Sequence, residues 1–166
     1  MPLVKGGQIA DDIFVHVTDG AELPDDAAVL IPVARFLESP EGVLQRKGKT
    51  GVIWPNSRDV DDLAPYLDRL AAVALVFPTF RDGRAYSQAR LLRERFHYRG
   101  ELRATGQVLR DQFVFMGDCQ VRLFRQDIPD LADRSALLGE PGDFGPCLRA
   151  AVRRAGIFRT LAAGAW

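Results

Sequence analysis

The sequence predicts a single α/β domain, in which repeated strand–helix units form a mostly parallel sheet that is either an open sheet or a partial barrel. First, the run from Val73 to Phe77 is apolar and too short for an ordinary helix, which is typical of a strand buried on both faces. Second, strands predicted to start near residues 51, 73, 101 and 120 alternate with segments of helical spacing. Third, the chain has 166 residues, 47% of them hydrophobic, which is enough to bury one core.

Two terminal regions flank the core of strand–helix units, which we place at residues 50–125. Residues 1–40 are expected to form an N-terminal cap, and within it Val4 to Val17 is predicted to form two short strands, a β-hairpin. A helix is predicted at residues 146–163. The alternation along the end of the hairpin divides its side chains between two faces, with Ile13, Val15 and Val17 on one and Phe14 and His16 on the other.

The first two strands of the core are each followed by a helix signal. Gly51 to Pro55 is predicted to be a strand, and Asp59 has the position of an N-cap for the next helix, which Pro65 should kink or interrupt. A second helix is predicted from Ala85 to Phe96, because apolar residues recur there at helical spacing before Gly100 ends it.

The last part of the core is predicted to contain two more strands. Glu101 to Thr105 is the third strand, and Thr105 is placed to cap a helix that contains Met116. A short strand from Gln120 to Phe124 completes the predicted sheet.

The polar loop from Pro78 to Arg84 is the strongest candidate for a functional site. It follows a buried strand and precedes a helix, and ligands of parallel sheets collect at the carboxyl ends of the strands, where helix N-termini attract anions. Arginine offers a planar fork of donors for sulfate, phosphate or carboxylate, although Asp82 could instead pair with one of the two loop arginines. We therefore expect an anion-binding site made of Arg81, Asp82, Arg84, Tyr86, Ser87, Arg110, Asp111 and Gln112, the last three joining only if adjacent strands bring the two loops together.

Several classes of function are not supported by the sequence. The net charge is zero, with 22 Lys and Arg against 22 Asp and Glu, which argues against a nucleic-acid partner. Neither a dinucleotide-binding glycine motif nor a P-loop is present, and the two cysteines and two histidines lack metal-site spacing, so no cofactor and no metal are expected. No run approaches the roughly 20 apolar residues of a membrane span, and the first residues lack signal-peptide features, which predicts a cytoplasmic protein. No residue is assigned a catalytic role.

Charge is distributed unevenly along the chain. Residues 6–34 contain six acids and no Lys or Arg, whereas Arg149, Arg153, Arg154 and Arg159 follow the last acid, Asp143. One interpretation is that both regions are simply solvated. The alternative is a charge-complementary surface that docks another protein or a second copy of the chain.

The central segment resembles a known family. The motif Phe77-Pro78-x-Phe80-x-Asp82-Gly83-Arg84-x-Tyr86-Ser87, followed by Tyr98-x-Gly100-Glu101-Leu102-Arg103, is similar to the bacterial domain-of-unknown-function family numbered 934, over roughly Val29 to Phe124. Members are often described as a probable oxidoreductase of sulfite reduction, because their genes commonly lie beside those for sulfite reductase. The resemblance therefore implies a place in sulfate assimilation, with sulfite reductase as a partner. Near Cys119 this chain has Asp-Cys-Gln-Val-Arg where the family tends to have Arg-Cys-Gly-Phe-Asp, which leaves the role of Cys119 open.

Three hypotheses follow. The first is an accessory protein of sulfite reduction that binds an oxyanion, or the reductase itself, through the arginine-rich loop. The second is an oxidoreductase with an unrecognised site, in which the arginines polarise a sulfur oxyanion and Asp82 or Tyr86 moves a proton. The third is a non-catalytic scaffold that docks a partner through its oppositely charged ends. A homodimer is favoured only because homodimers are common.

Overall fold

A computed structural model describes residues 3–5, 8–109, 112, 116, 121 and 123–126. Its strands form one sheet, in the order β2-β1-β8-β7-β6-β5-β4-β3. From β3 to β8 each strand is parallel to its neighbour, while β1 runs antiparallel to β2 and β8. The predicted α/β class is confirmed, with its mostly parallel sheet and its N-terminal hairpin. The strands are β1 (Leu3–Lys5), β2 (Gln8–Ala10), β3 (Phe14–His16), β4 (Ala28–Pro32), β5 (Thr50–Trp54), β6 (Ala72–Phe77), β7 (Glu101–Gly106) and β8 (Leu123–Gln126).

The helices lie in the connections between the parallel strands. Asp59 accepts a hydrogen bond from the Asp61 N–H at 3.1 Å and caps the turn after β5, which continues as a 3-10 helix with Pro65 inside it. Proline disturbs the hydrogen-bond ladder of an α-helix, as the sequence predicted for this segment. The helices are α1 (Val33–Glu38), α2 (Pro40–Leu44), the 3-10 helix (Val60–Tyr66) and α3 (Arg84–Glu94).

One contact shows that the sheet is curled rather than flat. In a flat sheet the four strand spacings between β3 and β7 would separate them by about 19 Å, more than an Asp and an Arg side chain can span. Arg103 of β7 nevertheless donates to Asp12, just before β3, at 2.8 Å, and its guanidinium lies 4.6 Å from the ring centre of Phe14. The parallel strands therefore form a curled half-barrel, which resolves the choice between open sheet and partial barrel.

The two faces of the curled sheet bury different side chains. On the concave inner face the room is limited: a Cβ added to Gly51 would lie 2.7 Å from the Leu30 side chain and 2.9 Å from the Ala72 Cβ, so small residues are needed there. The convex outer face is covered by the helices and carries the main hydrophobic core. Its strand residues are Val29, Ile31, Val52, Trp54, Val73, Leu75, Phe77, Leu102 and Ala104.

Some predicted elements differ from the structure. The N-terminal segment has three strands rather than two, because Asp12 interrupts it and accepts the Phe14 N–H at 2.9 Å. Thr105 does not cap a helix but lies inside β7, paired with Val76 and Arg125. The last strand is predicted from Gln120 to Phe124; in the described residues it is Leu123–Gln126, and Val121 lies outside it. The predicted helix at 146–163 lies outside the described residues.

Candidate functional site

The loop from Pro78 to Gly83 joins the carboxyl end of β6 to α3, as the sequence predicted. Asn56, two residues beyond β5, lies beside it at the same edge of the sheet. The chain after β7 also reaches it, because Gln112 donates to the Phe80 carbonyl oxygen at 2.8 Å. Adjacent parallel strands therefore bring three connections together at this edge.

Asp82 and Arg84 form a closely matched ion pair at the start of α3. The Arg84 Nη2 donates to Asp82 Oδ2 at 2.7 Å, and its Nε donates to Asp82 Oδ1 at 3.0 Å. The same carboxylate accepts the Arg84 backbone N–H at 3.2 Å, so it also satisfies one of the free N–H groups in the first turn of the helix. The Arg84 side chain is 61% exposed to solvent.

The electrostatics of this pair keep both groups charged. The hydrogen bonds from Arg84 hold the pKa of Asp82 far below its usual range, and the Asn56 amide, which faces the carboxylate, lowers it further. The hydrogen bonds to Asp82 raise the pKa of Arg84 in turn. A carboxylate held so firmly ionised is a weak proton acceptor near neutral pH. The Asp82 carboxylate also occupies the Nε–Nη2 edge of the Arg84 guanidinium, one of the two edges through which it could bind an external oxyanion.

Phe80 and Arg81 form the exposed tip of the loop. Phe80 is 46% exposed, and the Arg81 guanidinium stacks 5.3 Å from its ring centre. The backbone beneath them is held, since the Gln112 amide that donates to Phe80 also accepts the Leu109 N–H at 3.0 Å. The tip therefore presents an aromatic ring and a cation from a fixed backbone.

A second glutamine holds the neighbouring loop. Gln88, on the buried side of α3, donates to the carbonyl oxygens of Pro55 at 3.2 Å and Arg58 at 2.7 Å. These bonds fix the segment that carries Asn56 against the first turns of the helix.

The remaining predicted site residues have different positions. Tyr86 is half-buried and packs edge-on against Phe77, with ring centres 5.0 Å apart. Ser87 is exposed on α3. The Gln112 side chain binds the loop by donating to the backbone carbonyl oxygen of Phe80. Arg110 and Asp111 lie outside the described residues.

Sequence reasoning overlooked three residues that shape this edge. Asn56 directly follows the Trp54-Pro55 end of a predicted strand, and that position was a usable signal. Phe80 was visible as an aromatic residue in a polar loop. Gln88 gave no signal, since a single glutamine on a helix is usually solvated.

Within the described part of the chain, no three His, Cys, Asp or Glu residues are grouped so that they could hold a metal ion. The described helices also include none with the length and apolar character to cross a membrane.

The fold and this edge define a curled α/β half-barrel with a fixed strand-to-helix loop as its candidate site. The family model described as "Bacterial protein of unknown function (DUF934)" matches residues 51–137, just over half of the chain, and the protein belongs to that family. The resemblance recognised in the sequence is thereby confirmed. No curated protein matches the chain.

Proposed function

We propose that this protein is a cytoplasmic accessory protein of sulfite reduction that docks onto sulfite reductase through the tip of the Pro78–Gly83 loop. The assignment to sulfite reduction rests on the family resemblance. The docking surface comes from the geometry of the loop.

The observation that carries the proposal is the exposed Phe80 on a fixed backbone. An aromatic ring that is 46% exposed gains further free energy of burial when a partner covers it. Aromatic and arginine side chains dominate the binding energy of protein interfaces, and Arg81 stacks on this ring. Because Gln112 already holds the backbone at Phe80, docking costs less backbone entropy there.

The same geometry favours a protein partner over a small oxyanion. Arg84 is engaged by Asp82 through two of its nitrogens, so sulfite or sulfate would have to compete with a carboxylate of the chain itself. Arg81 alone, on an exposed loop, would hold such an anion weakly.

The direct test is binding of the purified full-length protein to sulfite reductase from the same organism, followed by isothermal titration calorimetry. We expect Phe80→Ala to weaken binding by about 2 kcal/mol or more, as for a central interface aromatic. Arg81→Ala should weaken it less and reduce its dependence on salt. Leu91→Ala and Arg90→Ala are matched controls, since both residues are exposed on α3 away from the loop.

Unchanged binding by Phe80→Ala would refute docking through the loop. Calorimetric titration with sulfite, sulfate and phosphate tests the alternative that the loop binds a small oxyanion. That alternative requires a heat of binding in wild type that disappears in Arg84→Ala. Growth of a deletion strain on sulfate, sulfite and sulfide tests the pathway separately, and only failure on the first two with rescue by sulfide supports it.

A further inference from the structure

The outer face of β3 differs from that of every other parallel strand whose cover is described. α1 packs against β4 and β5, and α3 packs against β6. The connection from β3 to β4, residues 17–27, contains no helix, and β3 is the last strand at its end of the sheet. Repeated strand–helix units place their helices on this face, so β3 lacks the helix that its neighbours have.

The side chains on that face are exposed and apolar. Val15 pairs with Val29, so both point to the outer face, but Val29 is fully buried whereas Val15 is 51% exposed. Ile13, two residues earlier on the same side, is 61% exposed. The row is already continuous with the main core, since Val17 is buried in it. A partner placed on Ile13 and Val15 would therefore extend an existing hydrophobic layer.

The connection that borders this row is acidic. No Lys or Arg occurs in residues 6–34, and the exposed acids there are Asp11, Asp19, Glu22, Asp25 and Asp26. Basic residues also lie beside the connection. Arg35 and Arg46 donate to its backbone carbonyl oxygens, and the Gly48 N–H, between Lys47 and Lys49, donates to the Asp25 carbonyl oxygen, so these contacts leave the exposed carboxylates available. A partner with basic residues beside an apolar stripe matches this pattern.

The edge of β3 is less suited to an added strand than to a helix on its face. The Val17 N–H donates to the Leu30 carbonyl of β4, so alternation turns the Phe14 N–H toward the open edge. Asp12 already accepts that N–H at 2.9 Å, and a strand is blunted when its edge groups are occupied. The side-chain face stays available.

We propose that the outer face of β3, formed by Ile13 and Val15 and bordered by the acidic 17–27 connection, docks a basic amphipathic helix of a protein partner. The helix would take the position that a crossover helix occupies on the neighbouring strands, with its apolar stripe on Val15 and its Lys or Arg residues toward the acids. This surface is separate from the Phe80 loop, and the inference does not depend on the proposed function.

The test uses a synthetic leucine–lysine peptide patterned as an amphipathic helix, titrated into the isotopically labelled full-length protein. We expect the largest NMR shift changes at the Ile13 and Val15 methyl groups, and weaker binding at high salt. The first control peptide has the same composition in an order that removes the apolar stripe. The second has each lysine replaced by glutamate. Neither should bind at the same concentrations.

Variants then locate the surface. Val15→Ser should weaken peptide binding about tenfold, in line with the loss of a buried valine contact. Leu91→Ser removes an exposed apolar side chain of α3 and should leave binding unchanged. Thermal unfolding of both variants checks that the fold is intact, as expected for exposed positions.

Three outcomes would overturn the proposal: equal binding of the reordered peptide, shift changes centred elsewhere, or unchanged binding by Val15→Ser. Sedimentation velocity adds a fourth. If the protein self-associates and Val15→Ser abolishes that association, the surface serves a second copy of the chain rather than a basic helix of another protein.

Discussion

The half-barrel contains two Arg–Asp pairs of almost the same length in opposite environments. Arg103 and Asp12 are 2.8 Å apart on the inner face, with side chains 3% and 16% exposed, and Glu101 also accepts from Arg103. Arg84 and Asp82 are 2.7 Å apart at the loop, with side chains 61% and 20% exposed. Distance alone would rank the pairs as equal. Water screens the charges of the outer pair, whereas the charges of the inner pair are largely buried. Substitution should therefore change the stability of the protein much more at the inner pair than at the outer pair.

The largest expected effect is on the inner pair. Arg103→Ala removes the buried guanidinium that donates to both Asp12 and Glu101, which should lower the free energy of unfolding by about 3–5 kcal/mol. Urea unfolding followed by circular dichroism measures it. Arg103→Met removes the charge and the guanidinium that lies over Phe14 but keeps an apolar side chain in the space, so it separates electrostatics from packing. If the free energy of unfolding falls by less than about 1 kcal/mol in both variants, the inner pair contributes no more to stability than an exposed ion pair does.

Asp12→Asn should have an intermediate effect, because Arg103 keeps Glu101 and the asparagine oxygen can still accept the Phe14 N–H. We expect a loss of about 1–3 kcal/mol in the free energy of unfolding, from a weaker hydrogen bond to a charged group. Asp11→Asn is the matched control, since Asp11 is the exposed neighbour, and it should change stability by less than about 0.5 kcal/mol. Equal losses in the two variants would contradict a specific role for Asp12.

Acid titration distinguishes the pairs in another way. Burial acts to raise the pKa of Asp12, but the hydrogen bonds from Arg103 and the Phe14 N–H and the nearby positive charge outweigh it, so the pKa is lowered. A carboxylate with a lowered folded-state pKa stabilises the protein above its unfolded value of 3.8 and loses that contribution as pH falls through the folded value. Unfolding measured from neutral pH down to acid should therefore show a shallower decline in Asp12→Asn than in wild type.

Salt sharpens this test. The pKa of Asp82 is also lowered, mainly by Arg84, so its contribution has the same sign and is lost on the same side of the titration. At about 1 M salt, where the screening length is about 3 Å, the part of the acid decline that Asp82→Asn removes should shrink. The part removed by Asp12→Asn should persist. If both parts respond equally to salt, the two environments are alike.

The smallest expected effect is that of Arg84→Ala on stability. The Asp82 carboxylate still accepts the backbone N–H of residue 84 at the start of α3, so the urea midpoint should stay close to that of wild type. Asp82→Ala removes this backbone hydrogen bond as well and should lower the midpoint more. The reverse order would mean that the side-chain pair, rather than the backbone hydrogen bond, stabilises this end of the helix.

These pairs also show which parts of the molecule can be predicted from sequence. Local patterns located β5, β6, β7 and α3, because short apolar runs and helical spacing are properties of adjacent residues. The pairing of Asp82 with Arg84 was one of the two alternatives left open by the sequence, since those residues are only two positions apart. Asp12 and Arg103 are 91 positions apart, and no local pattern connects them. The curl of the sheet is seen in that long-range contact and not in any local pattern, so the sequence left open sheet and partial barrel undecided.

The same limit applies to the candidate site. Its loop was predicted from position, after a buried strand and before a helix. The bonds that hold the loop, from Gln112 to Phe80 and from Gln88 to Pro55 and Arg58, join residues about 30 positions apart and were not predicted. The sequence thus predicted the position of the loop but not the hydrogen bonds that hold it. The proposal that Phe80 docks a partner depends on those hydrogen bonds.

The contact between Asp12 and Arg103 also has a consequence for folding kinetics. Formation of this contact closes a long loop of chain, and the entropy of that loop is lost before the contact contributes any stabilising free energy. By comparison, β4 to β7 pair through shorter connections. We expect this contact to form late, after the transition state for folding, although β3 itself can pair with β4 through the short connection of residues 17–27. In that case Arg103→Ala would accelerate unfolding and leave the refolding rate nearly unchanged, so the inner ion pair would determine how long the native half-barrel persists rather than how quickly it forms.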